Sequence, residues 1–260
     1  MGIETGISWC DSTFNVVWGC TKISPGCKNC YALELSTQYG FNCWGTNPRR
    51  ILSANYWNNP YKWNDAAKKE GKVKLVFTSS MCDNCEDNPV VASQLKRLWS
   101  VIRDTEWIAW QFLTKRADRL KECLPEDWED GYPNVWIGTS VENNDYVWRL
   151  DHLRAIPAVC RFISYEPALG PLPSIDLSGI DWVIYGGESG PSYRDHDYQW
   201  ARDIHIKCNL AGIPFYYKQS PSRFSGNKIE LDGKVIQNFP LPRRVSRTKV
   251  EPQVRLNHYG

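Results

Sequence analysis

Residues 107–115 read WIAWQFLTK, residues 134–140 read NVWIGTS, and residues 160–167 read CRFISYEP. Each is a short β-branched and aromatic run that breaks off in small or polar residues, with no strict apolar–polar alternation. Strands buried on both faces read this way. The form recurs at FNVVWGC (14–20), KLVFTSS (74–80), DWVIYGGES (181–189) and IPFYYKQS (213–220). Helical spacing lies between these runs. NPVVASQLKRLWSVIRDT (88–105) puts its apolar residues on one helical face and carries Pro89 near its start. RADRLKECL (116–124) follows the run at 107–115, and SYRDHDYQWARDIHIKCNLAG (192–212) closes on Gly212, a C-cap signal. Strands alternating with helices predict an α/β fold with a parallel sheet and right-handed crossovers. Seven runs predict a full or partial (β/α) barrel of about six to seven strands, with a doubly wound open sheet as the alternative. The barrel domain is expected over residues 1–220, with an irregular insertion at 41–73 that is rich in Asn, Trp and Pro. Residues 221–260 read as a C-terminal extension with a small hairpin around Leu231-Asp232-Gly233-Lys234.

A chain of 260 residues is long enough to bury a full core. Thirteen Trp, thirteen Tyr and eight Phe exclude a disordered chain. No apolar run reaches the roughly 18 residues of a membrane span. The start, MGIETGISWC, lacks a basic region followed by an apolar core, so no signal peptide and a cytoplasmic setting are expected. Ten cysteines are too few for a disulfide scaffold, and in that setting clustered thiols point to metal or redox chemistry. The net charge is +2, but Arg243, Arg244, Arg247, Lys249 and Arg255 against Glu251 leave the last 21 residues at +4. Such a tail suits a nucleic-acid backbone, and it equally suits a solvated tail with no partner.

The sharpest chemical signal follows the first run: Cys20-Thr-Lys-Ile-Ser-Pro-Gly-Cys27-Lys-Asn-Cys30. Three thiolates within eleven residues can hold three irons of a cubane cluster and leave the fourth iron open to a small molecule. Pro25 and Gly26 let the loop bend so that the sulfurs face one point. A zinc site would want a fourth ligand nearby, and no His lies within 100 residues of the loop. Three unrelated buried thiols are the alternative. In either barrel or open sheet the site gathers at the C-terminal strand ends, which carry Ser79, Ser80, Lys115, Arg116, Ser140, Glu142, Glu166, Gly186, Gly187, Glu188 and Lys218.

GCTKISPGCKNCYA, FLTKRADRL, WIGTSVEN, FISYEPALGPL, DWVIYGGESGP and AGIPFYYKQ, in this order from about Ile7 to Ser220, resemble the signature blocks of a phage three-Cys-motif radical S-adenosylmethionine (SAM) family. Its C-x6-C-x2-C spacing differs from the C-x3-C-x2-C of most radical SAM enzymes. The resemblance implies a [4Fe–4S] cluster on Cys20, Cys27 and Cys30, with SAM chelating the open iron and an external reductant supplying one electron. It implies that Ser79 and Ser80 receive the methionine ammonium and that Lys115 or Arg116 pairs the SAM carboxylate. Ser140 and Glu142 would contact the ribose, and Tyr31 would pack near adenine. Each of these polar residues also reads as a loop or cap hydrogen bond. Glu166 and Glu188 would bind a substrate amine or act as acid or base. They read equally as salt bridges across the barrel mouth, with Lys115, Arg116 or Lys218.

Cys82-Asp-Asn-Cys85 follows the second sheet run, and Cys10 and Cys43 flank the cluster loop. Together they would make a second iron–sulfur or zinc site, or they are free thiols, with Cys82 or Cys85 facing the site as a hydrogen-atom donor. Cys123, Cys160 and Cys208 read as core, and the four histidines show no ligand spacing.

Some phage members of the resembled family act in DNA hypermodification. The implied reaction is an isomerisation: the α-hydrogen is removed from a glycine attached through nitrogen to the thymine 5-methylene, and the α-carbon replaces nitrogen on that carbon. The implied partner is DNA carrying a modified thymine. Two alternatives stand beside it: a lyase acting on a thymine lesion, resembling spore photoproduct lyase, and a non-enzymatic iron–sulfur or zinc protein that binds nucleic acid. Truncation at Pro240 is expected to weaken DNA binding. Each lost phosphate contact should flatten the salt dependence by about 0.7–0.9 log units per decade. An unchanged slope after truncation means the tail does not track the backbone.

Overall fold

The structure is a computed structural model that describes residues 6–241. Seven parallel strands form one sheet: β1 (Ser12–Phe14), β2 (Lys74–Thr78), β3 (Ile108–Thr114), β4 (Val135–Ser140), β5 (Arg161–Tyr165), β6 (Trp182–Gly186) and β7 (Phe215–Gln219). Their spatial order is their sequence order. A doubly wound sheet reverses direction at a switch point; here every strand adds to the same edge. Right-handed crossovers then fall on one face and the sheet curls into a half-barrel. Between the strands lie α1 (Tyr31–Gln38), α2 (Asn59–Glu70), α3 (Pro89–Asp104), α4 (Leu120–Cys123), α5 (Arg149–Arg154) and α6 (Tyr198–Ala211). Among the described residues no helix is long and apolar enough to cross a membrane.

Every strand obeys a period of two. One face packs Val76, Ile108, Trp110, Phe112, Ile137, Ile163, Val183, Tyr185 and Tyr217 against the helices, including Leu95, Leu98 and Ile102 of α3. The other face belongs to a separate cluster of Trp9, Phe77, Ala109, Trp136, Phe162, Trp182, Ile184 and Tyr216. Trp182 sits at its centre, edge-on to Trp9 at 6.2 Å, Trp136 at 5.9 Å and Tyr216 at 5.9 Å. This aromatic plug closes the N-terminal end of the half-barrel. Further along five of the strands, just past the last residue of this cluster, the same face turns small or charged: Ser79, Gly138 and Ser140, Ser164 and Glu166, Gly186, Lys218. Gly138 is required where it stands, because a Cβ there would lie 2.5 Å from the Phe162 ring.

Three expected elements fall differently. The run 14–20 is not one strand. It leaves the sheet after Phe14, and Val17–Trp18 pairs antiparallel with Arg50–Ile51. The Asn15 side chain ends the ladder by accepting from the Met81 N–H at 2.7 Å. Within 41–73 the chain forms the twelve-residue α2, whose buried Pro60, Trp63 and Ala67 make a narrow stripe under a charged exterior. α6 begins at Tyr198, capped by Asp197, because residues 188–194 are bound to the cysteine loop instead, through Asn29 and Pro25. The crossover from β5 to β6 has no helix; Pro167, Pro171 and Pro173 break it, and it buries Leu172, Ile175, Leu177 and Ile180.

The extension follows expectation where it is described: Glu230–Leu231 and Lys234–Val235 form a hairpin. Beyond it, Tyr217 N–H donates to Ile236 O and Asn238 N–H to Phe215 O, which covers the β7 edge. The basic tail lies outside the described residues from residue 242 on. Trp182→Ala should lower stability by about 3–5 kcal/mol, read as a shifted urea midpoint, because it empties the centre of the plug and removes the indole bond to Asn238 O at 2.8 Å. A midpoint near wild type means the plug does not carry the closed end.

Candidate active site

Above the plug lies a cavity with about 1120 Å³ of empty space, its open mouth included. Its walls bring together the three loop cysteines, Tyr31, Ser79, Ser80, Cys82, Lys115, Arg116, Ser140, Glu166, Gly187, Glu188 and Lys218, all singled out by the sequence; Glu142 and Gly186 are not on them. Glu142 is fully buried beside it.

The cysteine loop folds by local rules. Pro25 opens a single 3-10 turn that ends at Cys27, with Cys27 N–H donating to Ser24 O at 2.9 Å. Cys30 then stands at the N-cap of α1. The loop is braced from the strand ends. Glu142 accepts from the Ser24 hydroxyl at 2.6 Å, and a Cβ on Gly26 would lie 2.5 Å from the same carboxylate oxygen. Glu188 accepts from Asn29 Nδ2 at 2.9 Å and from Arg194, whose Nε and backbone N–H reach it at 2.9 and 2.8 Å; the Arg194 guanidinium also donates to Pro25 O at 3.0 Å. Arg116 donates to Thr21 O at 2.8 Å and lies 3.6 Å from the Cys20 sulfur.

The remaining charges are paired. Glu166 binds Lys218. Lys115 Nζ lies 3.5 Å from Glu142 and donates to Glu166 O at 3.4 Å. Glu142 takes Arg149 at 2.7 Å on its other oxygen. Arg116 meets Asp83 at 2.9 Å, so its fork is engaged by protein groups and not left open for a SAM carboxylate. The Ser79 hydroxyl donates to Asn84 at 2.8 Å, the Ser80 hydroxyl lies against Asn15, and Tyr31 OH donates to Ser80 O at 3.0 Å. Asp83 organises the third strand end, accepting from Thr114 Oγ1 at 2.6 Å and Lys115 N–H at 3.1 Å. Asp83, Asn84, Asn29, Ser24, Arg149 and Arg194 were not singled out in the sequence. Asp83 and Asn84 had a signal, since they sit inside Cys82-Asp-Asn-Cys85; Arg149 and Arg194 had none.

Cys20, Cys27 and Cys30 are free, partly exposed and on one cavity. Burial pushes the Cys20 and Cys30 thiols up; at Cys20 Asp83 adds to this and Arg116 opposes it. Bare thiolates are therefore disfavoured, and a cationic group at the loop would favour them. Among the described residues no His, Cys, Asp or Glu group closes on one point as a single ion requires. Three free thiols on one cavity are the donor set that a cluster with three protein ligands would use. The other cysteines part company. Cys82 lines the cavity, its thiol pushed up to about 11 by burial. Cys85 turns into the helix-side core beside Cys123, Cys10 packs near the aromatic plug, and Cys43 sits with Trp18 and Met81.

Over residues 4–240 the chain matches the model of a family described as a protein of unknown function (DUF5131). No curated protein matches it. Among solved structures it is similar to a spore photoproduct lyase double mutant with bound AdoMet and dinucleoside spore photoproduct, at 12% identity and a TM-score of 0.46, over 76% of this chain and 61% of that one. A single mutant of spore photoproduct lyase gives 14% identity and a TM-score of 0.43, over 73% and 58%. The chain thus spans about three-fifths of the length of those lyase chains.

The buried carboxylates make the braces pH-dependent. At Glu142 burial raises the carboxyl, but Lys115, Arg149 and Ser24 more than offset it, leaving it below its ordinary 4.5. At Glu188 burial again raises and Arg194 and Asn29 prevail. A carboxylate lowered by folding contributes stability in full above its unfolded value and loses it as the pH falls through the folded value. Acidification below about pH 4.5 should therefore destabilise the wild type more steeply than Glu142→Gln, which has no proton to take up there. Urea midpoints taken down through the carboxylate range check this; parallel acid limbs would show that Glu142 is not held ionised.

Proposed function

The chain belongs to the DUF5131 family, and we propose that it is a radical SAM enzyme acting on a modified thymine in DNA. The observation that carries this reading is the shared cavity: three free thiols in C-x6-C-x2-C spacing face the polar C-terminal ends of the parallel strands, above a sealed aromatic floor. Cys20, Cys27 and Cys30 would hold a [4Fe–4S] cluster. With SAM bound, that group supplies reductive cleavage of a carbon–sulfur bond of SAM, using an electron from an external donor.

We assign the rest to this chain's own residues. The carbonyl groups and hydroxyls of Ser79 and Ser80 accept from the methionine ammonium. Lys115, less encumbered than Arg116, takes the SAM carboxylate. Ser140 and Tyr31 line the nucleoside side. The plug and the paired charges exclude water around the reacting centre. Glu166 and Lys218 face each other as an opposite-charge pair at the strand ends. A glycine attached through nitrogen to the thymine 5-methylene presents the matching pair, an amine and a carboxylate, which would exchange partners with them. Removal of its α-hydrogen and migration of the α-carbon would isomerise the base. Cys82, a protonated thiol on the cavity wall, would give a hydrogen atom to the product radical, and its thiyl radical would return to the thiol with a second electron from the external donor and a proton. Glu188 is spent on Arg194 and Asn29, so we give it the loop and not the substrate.

The test is anaerobic reconstitution. The protein should bind about four irons per chain and, with SAM and dithionite, release 5′-deoxyadenosine. Cys20→Ala, Cys27→Ala and Cys30→Ala should each abolish both. With DNA containing the glycine-bearing base, digestion and mass spectrometry should find a nucleoside of unchanged mass and new retention. A four-iron protein that releases no 5′-deoxyadenosine overturns the enzyme reading. A product split into smaller bases replaces the isomerisation with lesion cleavage.

A further inference from the structure

Arg116 is 8% exposed and fixed at both ends of its fork. One guanidinium nitrogen lies 2.9 Å from Asp83 Oδ2 and 3.6 Å from the Cys20 sulfur. The other donates to Thr21 O at 2.8 Å and stands 4.0 Å from Glu86. Glu86 is in turn held by both arms of Arg49, at 2.7 and 2.8 Å, and Arg49 reaches Thr21 Oγ1 at 2.9 Å and Cys43 O at 3.0 Å. Two arginines and two acids thus form one buried network around the first cysteine of the loop. Nothing comparable stands at Cys27, whose sulfur has the neutral Ser24 hydroxyl at 3.7 Å.

We infer that Arg116 is a positioning residue for Cys20, and that its donated N–H, 3.6 Å from the sulfur, raises the reduction potential of a cluster bound there. The inference rests on the cluster reading above. A cationic donor on a cluster sulfur lowers the energy of the state with the extra electron more than that of the state without it, and hydrogen bonds to sulfur are among the determinants of such potentials. Because Asp83 and Glu86 offset the charge of the two arginines, the effect is local. It works through the bond to sulfur and not through a long-range field. A lysine in place of Arg116 keeps the charge but cannot hold Asp83, Thr21 and the sulfur together.

The experiment compares wild type, Arg116→Lys and Arg116→Gln, each reconstituted anaerobically. Iron content and the midpoint potential are read by spectroscopic redox titration. Hydrogen exchange of residues 20–23 is followed in the iron-free chains. Arg116→Gln should shift the potential to more negative values, Arg116→Lys should fall between it and wild type, and both should speed exchange in the loop. A folded Arg116→Gln that loses its iron while Arg116→Lys keeps it also supports the inference, since it shows Cys20 is held by the donor. Equal potentials and unchanged exchange overturn it while leaving the cluster reading intact. A wild-type chain that takes up no iron overturns both.

Discussion

The whole arrangement depends on how the inward face of five of the strands changes from aromatic to small or charged within two to four residues. Phe77, Trp136, Phe162, Trp182 and Tyr216 fill the half-barrel at one level. Ser79, Gly138, Ser164, Gly186 and Lys218 leave it open at the next. In a close-packed interior a void is expensive, and one survives where the lining cannot collapse into it. Here the aromatic plug below and the sheet register around it hold the walls apart. The β-bulge between Tyr185 and Gly186 sits at the rim, where Gly187 approaches Pro221 so closely that a Cβ would lie 2.2 Å from its nitrogen. Bulges commonly re-aim a side chain at such rims, and Glu188 follows directly.

On this scaffold, charge does the work of fixing a loop that has little apolar surface of its own. Residues 20–30 contribute no residue to the main core. They are held by Glu142 through Ser24, by Glu188 through Asn29 and Arg194, and by Arg116 at Thr21. A buried ion pair contributes little net stability compared with apolar packing, yet breaking one is costly and its geometry is directional. Such pairs suit a loop whose three sulfurs must keep fixed relative positions. The same logic separates the mouth residues into two groups. Glu142, Glu188 and Arg116 point their charge at the loop, whereas Glu166 and Lys218 pair with each other along the cavity wall and Lys115 bridges the two groups, its ammonium between Glu142 and the Glu166 carbonyl.

The chemistry of the loop and of the strand ends was legible in the sequence because both are local. Three cysteines in eleven residues, with Pro25 and Gly26 between them, dictate a turn with clustered thiols. Runs such as NVWIGTS declare a buried strand and mark its C-terminal end. The count and alternation of those runs imply the parallel sheet, and the spatial strand order decides for the half-barrel over the doubly wound alternative. α2 was also within reach, since Pro60, Trp63 and Ala67 keep helical spacing, but its charged exterior hides three buried residues among twelve.

Partnership is what the sequence did not carry. Arg149 and Arg194 are seven and six residues from the acids they bind, on an unremarkable helix and loop. Arg116 and Cys20 are 96 positions apart, and only the alignment of β3 with the loop brings them together. Likewise Cys82 and Cys85 form one motif on paper, yet the turn after β2 sends one thiol into the cavity and the other into the helix-side core. The sequence by itself determined the succession of strands, the parallel sheet and the clustering of three thiols in one loop, because strand period, turn chemistry and residue spacing are short-range properties of the chain. The tertiary structure alone decided which charges face a ligand and which hold the loop. That choice is made by strand register, which sets residues far apart in sequence within hydrogen-bonding distance.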